Sequence, residues 1–211
     1  MAERTPADGD GGAFVAAGTA VALIAQQVAG KATRDALFLS SFSADELPKA
    51  MAAAAVLSVA AVFGAARLHA VYGPQRVVPP LLWVSAALYG VEWWALPRSP
   101  GAVAAALYLH VAVFGAIVIS GFWSVVNEHF DPHRAKSAVA RIGAGATLGG
   151  VVGGFGASTL TEWLDVPATL VALALLNALC GAGLRRFARV TAGGTAPPTP
   201  AADARSGLSV L

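Results

Sequence analysis

Five stretches of this chain contain no Asp, Glu, Lys or Arg. They are residues 11–30, 50–66, 99–127, 142–161 and 166–184, with lengths of 20, 17, 29, 20 and 19 residues. A sixth stretch, 77–96, is interrupted only by Glu92. The hydrocarbon core of a bilayer is about 30 Å thick, and a helix crossing it needs about 20 mainly apolar residues. Lipid offers no hydrogen bonds to the backbone, so each such run must satisfy its own N–H and C=O groups, and a helix does this. The expected fold class is all-α, a polytopic membrane protein of six transmembrane helices. Composition agrees: 12% of the residues are charged, against about 25% in soluble domains. An ordinary soluble enzyme, a disordered chain and a secreted disulfide scaffold are excluded. The single cysteine, Cys180, lies in the last run and has no partner for an intrachain disulfide.

Six spans of about 20 residues occupy about 120 of the 211 positions, which leaves short loops and two tails but no soluble catalytic domain. Residues 1–12 read as a disordered tail, 13–190 as the membrane domain, and the Pro/Ala/Gly-rich segment 191–211 as a second disordered tail. The first span is too long, and too closely followed by five more, for a cleaved signal peptide. Basic residues of short loops set orientation. With a cytoplasmic N-terminus, ten of the 14 fall inside (Arg4, Arg67, Arg76, Arg134, Lys136, Arg141, Arg185, Arg186, Arg189, Arg205). Lys31, Arg34, Lys49 and Arg98 stay outside. Both termini are expected to be cytoplasmic, in a cell membrane of the bacterial inner-membrane type. Trp93 and Trp94 suit the outer interface, and Pro79 and Pro80 suit the first turns of span three.

Charged groups inside spans are costly and point to function. Gln27, Lys31, Arg34 and Asp35 are spaced i, i+4, i+7, i+8 and share one face of the first span. Lysine as a point charge and arginine as a bidentate fork suit an anionic ligand, with Asp35 holding Lys31. The same residues also fit interfacial snorkelling. Span four carries His110, which suits either a proton relay or a hydrogen bond to a neighbouring helix. Glu92 suits the same cavity or, beside Trp93 and Trp94, the interface. Asn127 and Glu128 close span four and are candidates for a cytoplasmic gate.

His129 and His133 are four apart, yet Pro132 disfavours helix at the residue before it and so breaks the i, i+4 geometry of a metal pair. Ser158 lacks the flanks of a nucleophile elbow and nothing orients a base for it, so no enzyme is expected. No metal, cofactor or nucleic-acid partner is expected either. Span five places Gly145, Gly149 and Gly153 at four-residue intervals, which in lipid allows two helix backbones to approach closely. It matches neither nucleotide-binding glycine motif. The contact serves either as a sliding surface inside a carrier or as the docking face of a non-transporting membrane module or truncated remnant.

Two blocks resemble the ATP/ADP-translocase-type nucleotide transporters, a branch similar to the major facilitator superfamily. That family ends its first span with R-D-x-K-D-x-L. Here Lys31-Ala32-Thr33-Arg34-Asp35-Ala36-Leu37 stands in that place, with Ala32 at the first acidic position. Its fourth span ends F-W-x-x-x-N-E, followed by A-K. Here Phe122-Trp123-Ser124-Val125-Val126-Asn127-Glu128 precedes Ala135-Lys136. The segment from Ala66 to Arg76 resembles the facilitator loop G-R-L-x-D-R-x-G-R-R-R, with Ala66 and Ala70 replacing its glycine and aspartate. The resemblance implies a 3+3 helix arrangement, like one half of a facilitator, and alternating-access transport of an anionic solute, nucleotide exchange included. It also implies a substrate site between two six-helix halves, so the expected partners are the bilayer, the solute and a second half or a second copy.

Overall fold

The computed structural model describes residues 6–129, 132–163 and 165–192. They form six long helices: α1 (Pro6–Ser41), α2 (Leu47–Tyr72), α3 (Pro74–Ala95), α4 (Pro100–His129), α5 (Pro132–Trp163) and α6 (Val166–Ala192). A 3-10 turn at Ala44–Glu46 joins α1 to α2, and the described residues include no strand. Each helix has a proline in its first two positions: Pro6, Pro48, Pro74, Pro100, Pro132 and Pro167. A helix leaves its first N–H groups unpaired anyway, so proline is cheapest there and marks each start.

Five of the six helices contain stretches long and apolar enough to cross a membrane: Gly12–Ser41, Ala44–Tyr72, Pro100–Glu128, Ser137–Thr159 and Val166–Arg189. This is the architecture of a multi-pass membrane protein. The sixth helix, α3, is 22 residues long, about 33 Å at 1.5 Å per residue, and is not among these five.

Three boundaries differ from the sequence expectation. Helix α1 begins at Pro6, inside the segment read as a tail, because a proline start and the acidic Asp8 and Asp10 suit a helix N-terminus. Helix α6 runs to Ala192, two residues beyond 190, and 193–211 lie outside the described residues. Helix α3 starts at Pro74, so Pro79 and Pro80 lie inside it rather than in its first turn, each removing one intrahelical hydrogen bond. The connection before α3 is a single residue. Gly73 has φ 78°, a conformation only glycine adopts without strain, and its N–H closes α2 on the carbonyl of His69 at 2.9 Å.

Helix α1 packs on α4, α5 and α6, and α3 packs on α4 and α6, while α2 leans mainly on α4. One apolar cluster joins Ala20, Leu23, Val78, Leu82, Phe122, Ile142 and Leu184 toward the α2–α3 turn. A second joins Ala29, Leu37, Tyr89, Leu107, Val111 and Leu170 toward the α3–α4 turn. Helix α2 turns Val56, Val59, Phe63 and Val71 outward, the residue types that a lipid-facing surface requires.

Candidate functional site

The second cluster encloses a set of buried polar side chains. On α3, Ser85, Tyr89 and Glu92 are spaced i, i+4, i+7 and lie on one face. All three are buried, Glu92 at 6% exposure. Across from them on α4, His110 Nδ1 lies 2.9 Å from Glu92 Oε1 and 3.2 Å from Oε2. His110 Nε2 lies 2.8 Å from Ser85 Oγ. The imidazole is bracketed by the Tyr89 ring, centroids 4.5 Å apart, and by the edge of Phe114 at 5.1 Å. A second chain of bonds reaches in from α1. Gln27 Nε2 donates to Gln26 Oε1 at 2.9 Å, and Gln26 Nε2 donates to Tyr89 Oη at 3.1 Å.

Glycine makes room for these groups where helices meet. A Cβ on Gly30 would stand 3.2 Å from Tyr89 Oη. One on Gly115 would stand 2.5 Å from Gln27 Oε1, an acceptor without a partner among the described residues.

Two expectations are corrected here. Glu92 is not an interfacial residue beside its exposed neighbours Trp93 and Trp94; the helical turn points it inward, onto His110. Asp35 pairs with Arg34, Nε to Oδ1 at 2.9 Å, rather than with Lys31. Arg34 also lays its guanidinium over the Tyr108 ring, 4.4 Å from the centroid, so its direction is set from both sides. The face read from the spacing is divided: Gln27 is buried, Arg34 and Asp35 are half-buried, and Lys31 is exposed with no ion-pair partner among the described residues. Lys31 nevertheless leaves α1 at the depth of the buried pair. The residue before it, Gly30, borders both Tyr89 and Val111, the immediate neighbour of His110.

At the other end, Asn127 and Glu128 are exposed. Gln75 Nε2 donates to Glu128 Oε2 at 3.4 Å, which ties the end of α4 to the start of α3. His129 and His133 fall on two different helices, α4 and α5. Gly145, Gly149 and Gly153 all face α1: a Cβ on Gly145 would stand 2.7 Å from the carbonyl oxygen of Ala17, one on Gly153 2.5 Å from that of Ala25, and one on Gly149 would overlap that of Val21. That face is occupied by α1 within the chain.

Ser85, His110 and Glu92 connect in the order hydroxyl, imidazole, carboxylate. Acyl-transfer enzymes use this order, but there the nucleophile is accessible and backbone N–H groups receive the oxyanion. Here Ser85 is 2% exposed in the middle of α3, where helical N–H groups are already paired. Ser158, the serine singled out by sequence, donates to the carbonyl of Phe155 on its own helix at 2.9 Å.

Sequence reading singled out His110 but missed Ser85, Tyr89 and Gln26. The available signal was the i, i+4, i+7 polar stripe on an otherwise apolar span.

No family profile, curated protein or solved structure matches this chain.

Proposed function

We propose that this chain is a membrane transport protein, one six-helix half of an alternating-access carrier for an anionic solute, nucleotides of the ATP/ADP type included. The observation that carries this reading is Lys31. It is a cation without an ion-pair partner among the described residues, set about 15 Å short of the end of α1, at the level of a buried polar core. A cation at that depth is stabilised by an anion, and Arg34, aimed by Tyr108 and Asp35, stands one turn further along the same helix.

The packing supports the reading. Exchanging α1, α2, α3 for α4, α5, α6 returns the same set of main helix pairings: α1–α5 becomes α4–α2, α1–α6 becomes α4–α3, α2–α3 becomes α5–α6, and α1–α4 and α3–α6 return to themselves. A 3+3 repeat of the facilitator type has this symmetry. In this reading α3 also crosses the membrane, both termini are cytoplasmic, and a second six-helix half or a second copy completes the solute site.

The test is uptake of labelled ATP and of labelled phosphate into proteoliposomes holding the full chain. Wild type is expected to exceed empty liposomes for at least one of them, and Lys31→Ala and Arg34→Ala each to reduce that uptake about tenfold or more, the scale of one lost charge-assisted contact. Wild-type uptake equal to that of empty liposomes for every anion tried overturns the proposal.

A further inference from the structure

Ionisable side chains are almost absent from the interior of this bundle. Helix α1 has none between Asp10 and Lys31, α2 none between Lys49 and Arg67, and α5 none between Arg141 and Glu162. Helix α6 has only Cys180 between Asp165 and Arg185, α3 only Tyr89 between Arg76 and Glu92, and α4 only Tyr108 and His110 between its first residue and Glu128. The one deep carboxyl group and the one deep imidazole therefore come from different helices, 18 residues apart in sequence, and bond to each other. Burying such a pair costs several kcal/mol of desolvation, and lipid-embedded ionisable groups persist mainly where function needs them.

We infer that Glu92 and His110 form a proton-binding site that couples proton movement to movement of the anion. The inference rests on the carrier reading above. Geometry allows the pair to hold or release one proton without rearranging. With a neutral imidazole, Nδ1–H donates to the Glu92 carboxylate and Nε2 accepts the Ser85 hydroxyl proton. With an imidazolium, Nδ1–H still donates to Glu92 and Nε2–H donates to Ser85 Oγ, since a hydroxyl serves as donor or acceptor. The groups facing the pair are the Tyr89 ring with its Gln26 bond, the edge of Phe114, and Ser85. None of these carries a charge of its own, so the proton alone moves the site between a charge of −1 and zero. Burial decides what can use the site: Ser85, Glu92 and His110 are all buried, which leaves no room for an acyl substrate and leaves the proton as the species the pair can exchange.

The coupling is electrostatic. Gly30 borders Tyr89 and Val111, so the cationic stretch of α1 and the pair share one layer of the bundle. A unit charge in the same layer as a bound anion, at an effective dielectric of about 20, changes the anion's affinity on the order of tenfold. Protonation removes that negative charge and strengthens anion binding, and by linkage the anion strengthens proton binding by the same factor. The two therefore travel in the same direction.

The experiment uses proteoliposomes of the full chain loaded with a pH-sensitive dye, with ATP and inorganic phosphate as probes. In parallel, ¹⁵N spectra of the histidine rings in nanodiscs are recorded without and with saturating ATP or phosphate, because the anion is expected to strengthen proton binding. The His110 signals are assigned by their loss in His110→Gln. The expected result is acidification of the lumen with solute uptake, and a change in His110 ring protonation between the two conditions. In Glu92→Gln the proton signal is expected to fall about tenfold or more relative to the solute uptake measured in the same vesicles. Uptake with unchanged proton flux in Glu92→Gln overturns the coupling. So does a wild-type His110 ring with the same protonation at both conditions, a measurement that needs no variant to fold. Labelling of Ser85 by a fluorophosphonate also overturns it, because it would show access for something larger than a proton. A His110 ring that changes protonation in a chain that moves no anion overturns the carrier reading, and the coupling falls with it.

Discussion

Helices α1 and α5 meet backbone to backbone at three glycines, whereas α3 and α4 meet through hydrogen-bonded polar side chains. At the first contact Gly145, Gly149 and Gly153 bring one backbone against Ala17, Val21 and Ala25 of the other. At the second, Glu92 and Ser85 grip the two nitrogens of His110. Lipid tails are as apolar as leucine, so helices in a bilayer associate through close packing and polar contacts rather than through the hydrophobic effect. The two seams use one of these means each. They also differ in what they permit. Backbone packed on backbone at the glycines is less directional than hydrogen bonds between side chains, which fix the register of α3 against α4.

The largest expected effect breaks the bonded seam. His110→Leu leaves the buried Glu92 without its donor, and removing one member of a buried ion pair costs about 3–5 kcal/mol. An ordinary interhelical hydrogen bond in a membrane protein averages about 0.6 kcal/mol. Unfolding of the full chain by SDS in bicelles measures the difference. The double variant Glu92→Leu/His110→Leu is expected to be more stable than His110→Leu alone, because it leaves no charge behind. If His110→Leu behaves as an ordinary lost hydrogen bond, the two seams do not differ in kind.

A smaller effect is expected at the backbone seam. Gly149→Ala adds one methyl group where the carbonyl of Val21 already stands, and overpacking of this sort costs about 1–3 kcal/mol in the same assay. The smallest effect sharpens the comparison from outside. Gly154 has nothing within 4 Å of its absent Cβ, so Gly154→Ala is expected to change stability by less than about 0.5 kcal/mol. Equal changes at Gly149 and Gly154 would mean that contact with α1 does not set the cost, since helix propensity by itself favours alanine over glycine at both positions.

Much of this was legible in the residues themselves. Charge-free runs located five apolar helices, but Pro79 and Pro80 pointed to the wrong turn as the start of α3, which begins at Pro74. Four-residue glycine spacing pointed to a close helix contact, though not to the helix it meets. The basic cluster on α1 was legible as a set of residue types and misread as one face: spacing alone placed Lys31 with Asp35, while Tyr108, a residue of α4, draws Arg34 into the pairing instead. Glu92 was misread for a similar reason. Its neighbours in sequence are exposed tryptophans, but neighbours on a helix point in directions about 100° apart, given 3.6 residues per turn.

What the sequence determined by itself is the solvent and the elements. A chain with so few charges, placed in runs the length of a bilayer, has helices as its way of satisfying the backbone in lipid. What only the tertiary structure decided is which polar groups meet. Ser85, Glu92 and His110 lie on two helices, and Gln26 reaches Tyr89 across 63 positions of sequence. Hydrogen bonds act over about 3 Å, and helix periodicity says which residues share a face but not which face opposes it. The pairing of helices therefore made one buried carboxylate and one buried histidine, each ambiguous alone, into a single site.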